Sequence, residues 1–372
     1  MKKNIILIWW IVAIIGTHKA LPITQRNDYY EFVVIGAGPA GISAVGVLLD
    51  NGIASEKIAW IDPEFGVGRL GKSYGKVPSN TKIKGTLKFL SACQSFARNK
   101  QPKFKIEQYN PNLPCSLSYM TEPLQWISTY LKTQVHSLQT IVTNIEISPQ
   151  CFALTTPHQT ITAKKVILTT GSHPKQLTYP QPQEIALDVA LNPELLAQAV
   201  TPDDSVAVFG SSHSAILVLK SLAQLPAKRI INFYKKPLIY AVNMGNWYLH
   251  DNTGLKEAAA LWAHAVLEKN PPKNLERYKG SASTIAQLLP SCTKVIYAIG
   301  FERNDVPGLS KDILESYNAT TGIIAPNLFG LGIAFPKKHK DPLGNTEFQI
   351  GILDFLLHAQ RVIPLWIAQE PS

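Results

Sequence analysis

Cysteine is scarce in this chain, with only Cys93, Cys115, Cys151 and Cys292 in 372 residues. No two stand at C-x-x-C spacing, which excludes a locally written dithiol redox centre or zinc knuckle. A disulfide between distant positions stays open, and buried free thiols are the simpler expectation. Low-complexity segments and blocks of like charge are missing too. The net charge is +10, yet clusters such as Lys82/Lys84/Lys88 and Lys337/Lys338/Lys340 carry little aromatic interleaving. That disfavours a nucleic-acid surface and suits a basic face that attracts phosphate-bearing cofactors. Long apolar runs are also rare. The run Ile5 to Gly16, behind Lys2-Lys3, is too short to span a bilayer comfortably but fits the h-region of a secretory signal. Its cleavage site is poorly formed, with His18 at −3 if Ala20 is −1. An uncleaved membrane anchor and a misassigned start are the alternatives. Residues 1–26 are expected to be a signal peptide or membrane-associating leader, with export or membrane association favoured over a cytoplasmic location.

What the chain does carry is an apolar strand, Phe32-Val33-Val34-Ile35, running straight into Gly36-Ala37-Gly38-Pro39-Ala40-Gly41. A lone G-x-G-x-x-G is weak, but here the flanking elements follow in the order its mechanism needs. Gly36 permits the tight turn, Gly38 lets a pyrophosphate approach the backbone, and Gly41 lets the next helix pack close. Pro39 and Ala40 complete the cofactor-binding loop. A helix from Ile42 to Leu49 and a strand Ile58-Ala59-Trp60-Ile61 then deliver Asp62. A carboxylate there can accept hydrogen bonds from an adenosine ribose, while the helix N-terminus faces the phosphates.

The same grammar recurs later. The strand Ser205 to Phe209 leads into Gly210-Ser211-Ser212-His213-Ser214-Ala215, a helix Ile216 to Leu225, and a strand Arg229 to Tyr234. Serine and alanine replace the later glycines and are small enough to admit a phosphate. No acid ends the last strand; Lys235 and Lys236 follow it instead. Cations there accommodate the 2′-phosphate of NADPH, so NADPH is favoured with NADH as the alternative. Two further β-rich runs stop at glycine, one at Thr169-Thr170-Gly171 and one at Ala298-Ile299-Gly300. Amphipathic helices are expected over Gly254 to Lys269 and over about Thr346 to Arg361.

These segments in this order resemble the flavoproteins with two dinucleotide-binding domains, a group that includes thioredoxin reductases, class B flavin monooxygenases and N-hydroxylating monooxygenases. The resemblance implies an α/β fold of two Rossmann-like three-layer domains, the NAD(P)H domain inserted into a discontinuous FAD domain. FAD-domain parts are expected at 27–200 and 294–372, with the insertion at 201–293. Gly36, Gly38, Gly41 and Asp62 match the family's FAD fingerprint. Thr170-Gly171 and Gly300 fall at the two crossovers, and Gly332 in the last FAD-contacting strand. Two departures stand out: Ile333 follows Gly332 where an acid is usual, and the reductase dithiol is absent.

The resemblance further implies an FAD-dependent NAD(P)H oxidoreductase that passes a hydride to flavin and on to oxygen and a small-molecule substrate. A monooxygenase is favoured over a reductase. The helix near Thr346 is expected, by family analogy, to aim its N-terminus at the flavin. Arg69 is a candidate partner for the pyrophosphate, and Asn80 a candidate hydrogen-bonding group at the isoalloxazine. His250, in Asn246-Trp247-Tyr248-Leu249-His250-Asp251-Asn252-Thr253-Gly254, is a candidate general acid or base. The equally sound structural account makes Asp251 to Gly254 a cap for the next helix. His213 is expected near the second cofactor without a catalytic role. Two other readings remain: a non-catalytic FAD sensor, and a membrane-surface NAD(P)H:quinone-type dehydrogenase.

Overall fold

The computed structural model describes residues 29–180 and 182–369, so the leader expected at residues 1–26 lies outside the described residues. Among the described residues no helix is long and apolar enough to cross a membrane. Two parallel sheets organise the chain. In the first, the strand Tyr29–Ile35 lies between Ile58–Ile61 and Thr160–Leu168, all three parallel. His136–Leu138 extends one side, and Leu328–Gly330 with Ile323–Ala325 the other. Two antiparallel strands, Asn144–Ile147 and Phe152–Thr155, continue from the first half of Thr160–Leu168.

Alternation along the central strand decides the layers. Phe32 and Val34 point to a helical face with Ile42, Val45 and Leu48 of the helix Pro39–Asp50 and with Leu356, Val362 and Trp366 of the helix Ile352–Ala368. Val33 points to the opposite face, among Ala59, Ile161, Val166, Leu309 and Phe335. One buried cation stitches these layers. Lys165 of Thr160–Leu168 is 1% exposed, and its Nζ donates to the carbonyls of Trp366 (2.6 Å) and Ile367 (3.1 Å), the helix end where a cation is favourable.

The second sheet has five parallel strands in the order Leu275–Lys279, Arg229–Tyr234, Ser205–Phe209, Lys294–Tyr297, Gln183–Glu184. Its last two strands in that order, Lys294–Tyr297 and Gln183–Glu184, come from outside the 201–293 span, one from each side of it in sequence. A two-stranded ribbon, Ser172–Pro174 against Phe301–Arg303, runs where the chain passes from one sheet to the other.

Two expected helices differ from the structure. Thr346–Gln349 is a strand, paired with Lys337–Lys340, and the C-terminal helix starts only at Ile352 and runs to Ala368. The hairpin wins because Asp341 accepts backbone N–H groups of Leu343 and Asn345, fixing a turn that returns the chain on itself. The helix expected over Gly254 to Lys269 begins at Glu257 and continues past Trp262 as a π turn, Ala263–Leu267. Residues 254–255 are instead held beside Tyr240 and Ala241. All four cysteines are free, with Cys93 and Cys292 buried.

Candidate functional site: two nucleotide cavities on one ribbon

The first glycine loop is clamped from three sides. Gly36 has φ +106, and a Cβ there would stand 2.4 Å from the Thr169 carbonyl oxygen, so only glycine fits. Its N–H donates to the Ile61 carbonyl at 2.8 Å. Its own carbonyl accepts the Trp60 indole N–H at 2.9 Å and faces the Thr169 hydroxyl at 3.0 Å. Asp62 finishes the clamp: one carboxylate oxygen accepts the Ala37 N–H at 2.7 Å, the other the N–H groups of Glu64 and Phe65. The oxygen that takes only the Ala37 N–H keeps acceptor capacity for a ribose hydroxyl. At Gly41 a Cβ would lie 2.0 Å from the Gly36 carbonyl oxygen, the close helix approach expected of that position.

This loop opens into a cavity of 530 Å³. Gly36, Gly38, Pro39, Ala40 and Asp62 line it, and so do Arg69, Thr170, Gly171 and Gly332. Its chemistry suits an anionic dinucleotide. A Cβ on Gly38 would meet nothing within 4 Å, so the loop backbone faces open space. The Arg69 Nε and the Thr170 hydroxyl are buried without a protein partner among the described residues, leaving donors for a ligand. Arg69 is poised between Asp188 (3.8 Å) and the Tyr74 hydroxyl (3.5 Å), neither of which saturates its five donors. Ile350, Ile352 and Phe355 bring the start of the C-terminal helix to the same cavity. The helix expected to address the flavin thus reaches this cavity, with its N-terminus at Ile352 rather than near Thr346. Ile333, in place of the usual acid, also lines the cavity.

The second loop opens into a cavity of 800 Å³, lined by Gly210, Ser212, Lys235 and Lys236. Gly210 has φ +128, and a Cβ there would stand 2.2 Å from the Ala298 carbonyl oxygen. Buried Asn232 donates from its side-chain amide to the carbonyls of Val208 (3.0 Å) and Gly210 (2.8 Å), and its oxygen accepts Arg277 Nε at 3.0 Å. Ser214 and Ala215 lie in the helix His213–Leu222 and line neither cavity, and buried Ala215 packs against Gly210. His213 opens that helix with its Nδ1 buried and unpartnered among the described residues. Burial first, and the Lys256 charge second, push its pKa down to about 4. Its ring is neutral at ordinary pH.

Gly300 sets a turn (φ +101) at the ribbon, where its carbonyl accepts the Lys175 N–H at 2.9 Å. The ribbon separates the cavities: Ser172 and Phe301 line the first, and Glu302 the second. Asn80 is exposed, and neither it nor His250 lines either cavity. Asp251 pairs with Lys256 at 2.8 Å instead of capping the following helix. Sequence reasoning missed Trp60, Thr169, Asn232 and Asn304. Asn304 lines the first cavity and donates to the Thr170 carbonyl at 2.7 Å. These residues act through partners far along the chain; for Trp60 and Asn232 the local signal is an indole or amide N–H inside an otherwise apolar strand, and Thr169 and Asn304 lie just past strand ends.

The family model for pyridine nucleotide-disulphide oxidoreductases matches residues 33–242, from the first glycine loop past the second. The chain belongs to this family. It is 35% identical to monooxygenase AgnR1 of Paecilomyces divaricatus, over 90% of this chain and 97% of that protein. Its fold is similar to that of a flavin-containing monooxygenase from Stenotrophomonas maltophilia, with a TM-score of 0.60 at 15% identity over 92% of this chain and 99% of that one. An ornithine N-hydroxylase from Kutzneria sp. 744 gives 0.61 at 12% identity, covering 91% and 99%. This pyridine nucleotide-disulphide oxidoreductase is an FAD-dependent enzyme whose second nucleotide is a nicotinamide dinucleotide. The donors and open backbone of its glycine loops fit both.

Proposed function

We propose that this oxidoreductase is a monooxygenase that uses NADPH and oxygen to oxidise a small organic molecule. The carrying observation is that two nucleotide-suited cavities share one ribbon and neither is lined by a cysteine. That arrangement has a route for a hydride and no cysteine pair at either cavity to relay its electrons to a disulfide. The 35% identity to a monooxygenase over nine-tenths of the chain supports the same reading.

In this reading FAD lies in the 530 Å³ cavity, where when bound it supplies hydride acceptance and oxygen activation. The chain's part is to bind and orient. Asp62 holds the ribose, the N-terminus of Pro39–Asp50 offers its dipole to the pyrophosphate, and Arg69 adds a cation beside it. The N-terminus of Ile352–Ala368 favours negative charge where the helix meets the cavity. Lys235 and Lys236 take the 2′-phosphate of NADPH at the rim of the second cavity. Neither His250 nor Asn80 is given a chemical step, because neither lines a cavity.

The test is turnover under labelled oxygen with a panel of small organic acceptors. A product carrying one atom from ¹⁸O₂ per NADPH consumed is expected. Hydrogen peroxide accounting for all NADPH with every acceptor, together with direct reduction of a disulfide, would reverse the assignment.

A further inference from the structure

Glu347 occupies a position that its own hairpin does not explain. It lies on the strand Thr346–Gln349, which pairs only with Lys337–Lys340, yet its side chain turns inward and the residue is 5% exposed. Its two oxygens each take a hydrogen bond from a segment some ninety residues earlier. Oε2 accepts the Asn252 backbone N–H at 3.1 Å, and Oε1 accepts the Thr253 hydroxyl at 2.6 Å. Both donating residues line the 800 Å³ cavity. Three residues beyond Glu347, Ile350 lines the 530 Å³ cavity, and the C-terminal helix begins two residues after that.

The segment that Glu347 grips is also tied to its own neighbours in sequence. His250 sits at φ +57, and its carbonyl accepts the Gly254 N–H at 2.8 Å. A Cβ on Gly254 would lie 2.3 Å from the Ala241 nitrogen, so this end of the turn is packed down. Between those two ends Asp251 pairs with Lys256, and Asn252 meets Glu347. A buried carboxylate that takes two hydrogen bonds in one direction fixes distance and orientation together, because moving the turn would strip a charged acceptor of its donors.

We propose that Glu347 is a positioning residue for the second nucleotide. It is a strut from the flavin-side hairpin that sets where Asn252 and Thr253 stand in the nicotinamide cavity, and so the registry between the two cavities. The proposal rests on the reading that the 800 Å³ cavity takes NADPH. A strut of this kind touches neither cofactor. It acts because hydride transfer tolerates little misplacement, an ångström being worth on the order of a hundredfold in rate.

The experiment uses the full-length, FAD-loaded protein and the variants Glu347→Ala, Glu347→Gln and Thr253→Val. Three quantities are read: amide hydrogen exchange at Asn252, NADP⁺ affinity by calorimetry, and the anaerobic rate of flavin bleaching at saturating NADPH. In Glu347→Ala the Asn252 amide should exchange about tenfold faster, since its charged acceptor is gone. NADP⁺ should bind about threefold to tenfold more weakly and bleaching should slow by more than about tenfold, with FAD content unchanged. Glu347→Gln keeps an acceptor oxygen and should recover part of the rate. Thr253→Val removes one bond from the opposite side and should show a smaller loss of the same kind, which keeps the test open if Glu347→Ala does not fold. A faster-exchanging loop with wild-type NADP⁺ affinity and bleaching rate would overturn the proposal while leaving the cavity reading intact. Failure of the wild-type holoenzyme to bind NADP⁺ would overturn both.

Discussion

The two phosphate loops are built on one plan with different materials. Trp60 stands opposite Val34, two residues before Gly36, and Asn232 stands opposite Val208, two residues before Gly210. From that shared position each sends an N–H to the carbonyl of the loop's first glycine. The next residue on each strand, Ile61 or Phe233, accepts that glycine's N–H at 2.8 Å. A crossover carbonyl, Thr169 in one unit and Ala298 in the other, closes on the space a Cβ would need. The differences lie in what surrounds this frame. The first clamp is a buried indole, and its loop is tied further by Asp62 and opens its helix with Pro39, a residue pre-set for the first helical turn. The second clamp is an amide that depends on Arg277 for its own satisfaction, and its helix opens with His213. The lesson is that the fold demands the donor's position and leaves its chemistry free. The first loop is thereby set rigidly, and the second is left exposed to charge and pH.

The most severe way to break this parallel is to fill the glycine positions. Gly36→Val should cost on the order of 3 kcal/mol or more through backbone strain and overpacking, and the protein should purify without flavin. Gly210→Val carries the same local clash, yet it should retain its visible flavin spectrum and lose NADP⁺ binding in calorimetry. Loss of flavin from both would show that the loops are not independent. Next in size is the exchange of clamps. Asn232→Leu strands Arg277 Nε and a loop carbonyl, and should lower stability in urea unfolding by about 2–3 kcal/mol. Trp60→Phe removes one hydrogen bond and some volume, for about 1–2 kcal/mol. The opposite ranking would mean that the indole, not the amide, is the costlier part.

A further effect separates the loops by pH. The folded pKa of His213, near 4, lies below its ordinary 6.5, so the unfolded chain takes up this proton first. The stability supported by the neutral ring is whole above the ordinary value and is lost as pH falls towards the folded value. Thermal unfolding across that window should show a loss on the order of 2–3 kcal/mol from this ring that His213→Gln removes, leaving the slope contributed by buried His358 of the C-terminal helix, whose pKa is also pushed down to about 4. The smallest change is chemical. The double variant Lys235→Ala/Lys236→Ala should weaken NADP⁺ about tenfold and leave NAD⁺ nearly untouched, read as the ratio of the two dissociation constants.

Much of this was legible along the chain. The strand boundaries at Ser205–Phe209 and Arg229–Tyr234 coincide with the apolar runs, because a fully buried parallel strand writes itself as continuous aliphatic sequence. Both glycine turns were equally plain, since the positive φ of each tight turn favours glycine through that residue's own backbone. The C-terminal hairpin was not. Thr346 to Gln349 carries a pattern that suits either a helix or a strand, and its partner strand decides between them. The turn residues from Asp341 to Asn345 were the available signal.

The candidate site divides along the same line. The sequence by itself determined two glycine loops, the acid after the first and the lysines after the second, because each stands in a strand–turn–helix–strand order that is written within a few tens of consecutive residues. Tertiary structure alone decided that Trp60 and Asn232 share one position and that Arg69 faces Asp188. It also decided that His250 lines neither cavity whereas Glu347 reaches one through Asn252 and Thr253. The physical reason is that a buried hydrogen bond constrains both of its partners at once, and here those partners lie tens of residues apart.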